Sequence, residues 1–286
     1  MKEKLQNLPP FLQVLALFII GIVSYIFISI IITLTVQLFY SDLPITDTGL
    51  LMEEYPVIFM LVYYFPFQFG VLLIPGFIYW KFLKPKGNKF NLNIKNIAWS
   101  VLIFSSVVLL LPLFSELNNI ITKFFGAYDA LEAQKISSDE TLTMLISSSD
   151  LAFFVGVLII GIITGIAEEF AFRGFIQNHI FDNTKRLDFA ILGSALIFAL
   201  LHFNYFQFIP LLIFGIVLAM IYFITKSLIP GIILHALNNI LNLYWLKNDS
   251  FPSFLEEMSL KITIPSALLL MGLIYIKKNN FNLSDR

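Results

Sequence analysis

Glu168 and Glu169 stand side by side in an apolar run that begins near Leu151, and Arg173 follows within little more than one helical turn. No other apolar run of this length holds three charges. A charge inside a bilayer costs roughly 2.5–3.5 kcal/mol on insertion scales, so a carboxylate pair there marks a functional site by default. On an α-helix Glu169 and Arg173 are four apart, acid before base, the favoured order for an ion pair on one face. Glu168 is five before Arg173, about 140° round the helix from it. The spacing predicts that Arg173 neutralises Glu169 and leaves Glu168 for chemistry. The opposing reading is one structural cluster of all three that holds helices together.

Two further polar sets lie in apolar runs. His202 closes Phe198-Ala-Leu-Leu-His202, and His235 opens His235-Ala-Leu-Asn-Asn239. Phe198 and His202 share a helix face, as do His235 and Asn239; Asn238 sits about 100° off Asn239. The chain has three histidines. The third, His179, falls past the run that carries Glu168, near Lys185 and Arg186, and reads as interfacial. Asn204, Gln207 and Asn242 read as ordinary polar residues near helix ends. A lone buried histidine is usually a hydrogen-bonded structural residue, but two in separate apolar runs, one with an amide on its face, tip the balance towards function.

A carboxylate, two imidazoles and an amide converging in a cavity suit hydrolysis by an activated water. The carboxylate accepts the water proton, and a histidine shares that role or protonates the leaving amine. Asn239 and the second histidine can donate to a developing oxyanion, a contribution of about 3–4 kcal/mol. There is no Ser/His/Asp arrangement and no HExxH zinc motif. With no cysteine in the chain, thiol nucleophiles, thiolate metal ligands and disulfides are excluded.

The elements that must hold these groups are membrane spans. Of the 286 residues 58% are hydrophobic and 13% charged, and the mean hydropathy is +0.85, whereas a soluble domain carries about 25% charged residues. The fold class expected is an all-α polytopic membrane helix bundle, one integral-membrane domain over residues 1–286 with 150–245 as its catalytic core. The net charge of −1 points to no nucleic acid. A spanning helix needs about 20 mostly apolar residues. That rule predicts about eight spans, near 11–38, 56–80, 97–115, 152–176, 189–204, 206–225, 229–246 and 262–276. The N-terminus reads as a first span, not a removed signal peptide.

Loop charges fit an even number. Lys81, Lys84, Lys86, Lys89 and Lys95 fall between spans two and three, Lys226 follows the sixth and Lys277 and Lys278 the eighth, while the alternate loops lean acidic. Positive loops mark the cytoplasmic side, which puts both termini there. Pro66 and Pro75 are expected to kink the second span. Gly161 and Gly165 form a small-xxx-small pair that lets a neighbouring helix approach the Glu168 run closely. The linker over 116–149 is expected to hold a short interfacial helix. At 1.5 Å per residue Glu168 and His235 both lie roughly 10 Å from the cytoplasmic edge, but His202, counted from Phe189, lies roughly 20 Å in.

Taken together, Glu168-Glu169-xxx-Arg173, Phe198-xxx-His202 and His235-xxx-Asn239 resemble the three motifs of the CAAX protease and bacteriocin-processing (CPBP, or Abi) family of intramembrane endopeptidases. All three occur in order, on separate spans, over roughly residues 150–245. The resemblance implies Glu168 as the water-activating base, His202 as its partner in proton transfer, and His235 and Asn239 as groups that position the water and stabilise the transition state. Glu169, Arg173 and Phe198 would support the site. The family is often labelled metalloprotease, and Glu168, His202 and His235 could bind zinc with water as fourth ligand. A metal-free glutamate mechanism, with no cofactor required, is preferred here because Asn is a poor zinc ligand. The substrate implied is a membrane-associated peptide or protein, in some cases lipidated, and the location a prokaryotic inner membrane. Two other functions are weighed: a non-catalytic bacteriocin-immunity or scaffold protein, and a proton-coupled transporter.

Overall fold

A computed structural model describes residues 5–83, 93–250 and 265. Among the described residues the regular structure is helical throughout, with no strand. Four described helices are long and apolar enough to cross a membrane: Pro10–Phe39 (α1), Pro56–Leu83 (α3), Asp150–Thr184 (α7) and Tyr205–Thr225. A fifth span results if the bent pair Ile94–Val108 (α4) and Leu111–Phe124 (α5) counts as one. The expected span at 262–276 lies outside the described residues, as do Lys84, Lys86 and Lys89.

The departures from the expected spans have local causes. The single helix expected over 97–115 is two helices bent by 43°. Pro112 sits in the first turn of α5; its ring clashes with the carbonyl four residues back, at Val108, where α4 ends. The span expected over 189–204 is a helix of 15 residues, Leu187–Leu201 (α8), followed by a 3₁₀ turn, Tyr205–Gln207, and then Phe208–Thr225 (α9). Leu228–Asn248 (α10) is 21 residues long, but His235, Asn238, Asn239 and Asn242 dilute its apolar content. The linker expected to hold a short helix holds Tyr128–Ser147 (α6), 20 residues in length. In α3, π-helical stretches at Met60–Tyr64 and Phe67–Leu73 flank Pro66, which has no N–H to continue the α ladder.

The chain forms two compact units that interleave in sequence. The first takes its described residues from 5–83, 139–179 and 235–250, and the second from 93–138, 180–234 and 265. In the first unit Asp47 caps the short helix Thr48–Glu54 (α2), its Oδ1 accepting the Leu50 N–H at 3.0 Å. Ser149 caps α7, accepting from the Ala152 N–H at 3.1 Å. Both are side-chain oxygens filling orphan donors at a helix start. Helices α1 and α3 approach to backbone contact: a Cβ on Gly70 would meet the Tyr25 backbone at 2.6 Å. Met60, Ala152 and Ile159 form one buried cluster between α3 and α7. Leu145, Ile146 and Leu243 form another. Much of α1 is exposed apolar surface, including Phe11, Phe18, Phe27 and Leu34. In water such a face would be a liability; its natural solvent is lipid, which agrees with an integral membrane protein.

In the second unit α8 and α9 pack as an antiparallel pair. A Cβ on Gly215 would come within 3.2 Å of Ala195 Cα. Phe214 packs against Phe198 with the rings tilted and meets Phe104 of α4 edge-on. Asn93 caps α4, its Oδ1 accepting from Lys95 N–H at 3.0 Å.

Candidate active site

Helix α7 brings its charges into the first unit on an unusual backbone. From Glu169 to Gln177 it is π-helical, wound with i→i+5 bonds, a feature that recurs at functional sites. In such a spiral, residues five apart approach one face. The 140° separation expected for Glu168 and Arg173 on an α-helix therefore does not apply here. The expected ion pair is present: Arg173 Nη1 lies 2.9 Å from Glu169 Oε1, with both side chains buried.

His235, from α10, joins the two carboxylates. Its Nδ1 is 2.9 Å from Glu169 Oε1, and its Nε2 is 3.5 Å from Glu168 Oε2. An ionised carboxylate only accepts, so Nδ1–H donates to Glu169. With the ring neutral that leaves a lone pair on Nε2 beside Glu168, to which the carboxyl bonds once it carries a proton. Glu169 thus does two jobs, neutralising Arg173 and fixing the tautomer of His235, much as a buried carboxylate orients the histidine of a hydrolytic triad. Relative exposure separates the pair of acids: Glu168 retains 8%, Glu169 none, Arg173 1% and His235 2%. Glu168 is the least enclosed member of the cluster.

The close packing that makes this possible comes from the small residues. A Cβ on Gly165 would stand 2.8 Å from Ala236 N, and one on Gly161 would stand 2.8 Å from Ile240 Cγ1. The expected close neighbour is therefore α10 itself. Asn239 belongs to the same seam: its Nδ2 donates to the Ile160 carbonyl at 3.3 Å. Ile160 lies in a second π-helical stretch, Val157–Ile163. Behind the acids, Phe170 is enclosed by Phe77 and Trp80 of α3, with ring centroids 5.9 and 5.6 Å away.

The structure thus brings Glu168, Glu169, Arg173, His235 and Asn239 into one unit. His202 and Phe198 belong to the other. His202 caps the C-terminus of α8, its Nδ1 is 2.7 Å from the Phe198 carbonyl, and its ring centroid is 4.3 Å from that of Phe198. His179 is half-buried against Tyr79 and Phe175. Among the described residues no group of three or more His, Asp or Glu side chains is placed to hold a metal ion.

Sequence reasoning missed Asn118. Its side chain, buried in α5, donates to the carbonyls of Tyr205 and Phe206 and accepts from Ile209 N–H. A polar residue in the long linker gave no sequence signal, because its partners are backbone atoms some ninety residues away. The missed contact between His235 and Glu169 is of the same kind; the i, i+4 pattern linked His235 only to Asn239.

Residues 150–241 match the family model described as Type II CAAX prenyl endopeptidase Rce1-like. The matched stretch holds all three motifs and bears out the resemblance drawn from them. At the level of the family it supports an intramembrane protease. No curated protein and no solved structure matches the chain.

Proposed function

We propose that this chain is an intramembrane endopeptidase that hydrolyses a peptide bond of a membrane-associated peptide or protein by water activated at Glu168. The observation that carries the reading is the position of His235, with Nδ1 held by Glu169 at 2.9 Å and Nε2 turned to Glu168 at 3.5 Å. Glu168 takes a proton from water as the water oxygen attacks the scissile carbonyl carbon. The proton is then delivered to the amide nitrogen, directly or through His235 Nε2, and the C–N bond breaks. A gap of 3.5 Å is long for a hydrogen bond, but catalytic contacts often tighten only when substrate is bound. His202 takes the part the resemblance gives it, in proton transfer. Asn239 places one N–H on Ile160, and an amide has a second to offer the reacting oxygen.

The reading extends to setting. The protein sits in a prokaryotic cell membrane with eight spans and both termini cytoplasmic, and the substrate reaches the site from that side, with a lipidated terminus as one form. The reaction uses protein groups and water alone.

The test is Glu168→Gln, which keeps shape and removes the base. Peptides recovered from membranes of cells making the wild type are compared with those from cells making the variant. Uncut precursors are expected to accumulate in the variant, with the protein inserted at wild-type levels. Cleavage at the wild-type rate by Glu168→Gln would sink the proposal, and undiminished biological protection by the same variant would favour a non-catalytic immunity protein instead.

A further inference from the structure

The turn that carries His202 is gripped by a part of the chain that the proposed mechanism does not use. Helix α8, at 15 residues, is about 22 Å long, short of the ~30 Å hydrocarbon thickness. The chain reverses immediately after it, with Phe203 at φ 52°, in the left-handed region that non-glycine residues seldom occupy. Irregular backbone near membrane depth survives only where protein or water satisfies its polar groups.

That service comes from α5 and α6. Asn118, 3% exposed, donates Nδ2 to the carbonyls of Tyr205 at 3.3 Å and Phe206 at 2.7 Å. Its Oδ1 accepts the Ile209 N–H at 3.0 Å, filling an orphan donor at the start of α9. Gln134 donates Nε2 to the Phe203 carbonyl at 3.3 Å. The ring of Tyr128 meets Phe206 edge-on at 5.3 Å. The imidazole itself is tied on the helix side by Phe198. Asn118 therefore holds the exit of the reversal into α9 and Gln134 its entry at Phe203, and the histidine is the residue from which that reversal starts.

We propose that Asn118, supported by Gln134, is a positioning residue for His202: it fixes the turn so that the imidazole keeps one orientation. The inference rests on the reading of His202 as a proton-transfer group, but the geometry it concerns can be measured without cleavage. Because the chain has three histidines, ¹⁵N-histidine labelling of the full protein in lipid nanodiscs gives three ring systems, assigned with His202→Gln and His179→Phe. Asn118→Ala is expected to shift or broaden the His202 ring signals and leave those of His235 in place. Asn118→Asp keeps an acceptor for Ile209 but cannot donate to the two carbonyls, and is expected to behave like Asn118→Ala. Gln134→Ala removes a single exposed bond; it gives a smaller change in the same direction and remains readable if Asn118→Ala does not fold. With a fluorogenic prenylated CAAX peptide as probe, kcat is expected to fall about tenfold to a hundredfold with KM within about twofold, as for a misplaced reacting group.

Unmoved His202 signals in Asn118→Asp and Gln134→Ala overturn the proposal. So does equal movement of all three histidines, which would mark general loosening. Selective movement of His202 in a protein whose wild type cuts nothing supports the positioning role and removes the protease reading instead.

Discussion

A Cβ built on Gly165 would lie 2.8 Å from the backbone nitrogen of Ala236 and 3.0 Å from its Cα. Ala236 follows His235 and Gly165 precedes Glu168 by three residues, so this contact sets the distance between the acid and the imidazole. The obstacle is backbone, which cannot rotate away. Gly165→Ala is therefore expected to destabilise the protein by about 1–3 kcal/mol, as overpacking does, and to lower cleavage beyond what the lost stability explains. At Gly161 the added Cβ would meet the Ile240 side chain, which can change rotamer, so Gly161→Ala is expected to be milder in both respects. Thermal unfolding and turnover of the two variants, measured side by side in detergent, check the order.

Removing one partner of the buried Glu169–Arg173 pair strands the other charge. Arg173→Met is expected to cost about 3–5 kcal/mol, because an uncompensated charge remains inside. Pairing it with Glu169→Gln removes both charges and should recover part of that loss while leaving His235 a carbonyl to bond. Chemical denaturation of the single and double variants measures the difference. Glu168→Gln, at the least enclosed of the three charges, should hold its melting temperature. If Glu168→Gln unfolded as readily as Arg173→Met, the three charges would be a structural cluster, the reading that competed with catalysis from the start.

How far these relationships were legible follows from how local they are. The Glu169–Arg173 pair and the close seam at Gly161 and Gly165 were readable because helix periodicity determines them within a few residues. The π winding of Glu169–Gln177 was not, since no proline or glycine pattern forces it and tertiary contacts select it. The partner of His235 was misjudged for the same reason: the pattern offered Asn239 four residues on, whereas Glu169 reaches it across a helix interface. The break in the span expected over 97–115 had a signal in Pro112, which a count of apolar residues passes over. Asn118 had none, because its targets are main-chain atoms of the α8–α9 turn.

Outside the apolar spans, Asp188 in the first turn of α8 accepts two bonds from Arg186, and this holds its carboxyl below the usual range. A depressed folded-state value means that the group contributes stability fully above the unfolded carboxylate pKa of about 3.9 and loses it as pH falls through the lower folded value. Arg186→Ala is expected to move the Asp188 titration back up, and to leave stability between about pH 5 and 8 unchanged, because exposed pairs contribute little. Following the Asp188 carboxyl carbon by NMR in the two proteins from acid to neutral pH tests the direction.

The three histidines give an internal contrast. His179 lies edge-on to Tyr79, with centroids 5.8 Å apart, and to Phe175, 5.9 Å apart; it packs beside the cluster of Leu17, Tyr79 and Phe175. Its ring is part of an aromatic stack, and such pairs are worth about 0.5–1.5 kcal/mol beyond the area they bury. His179→Ala is thus expected to lower thermal stability by roughly that amount for each lost ring contact and to leave kcat alone, with His179→Phe restoring the stability. His235→Ala removes the group that Glu169 orients towards Glu168, so cleavage should vanish while unfolding shifts by the loss of one charge-assisted hydrogen bond, about 1.5–3 kcal/mol. Both variants therefore lose stability, and only His235→Ala loses turnover. A loss of turnover in His179→Phe matching that of His235→Ala would mean that the active centre had been drawn around the wrong imidazole.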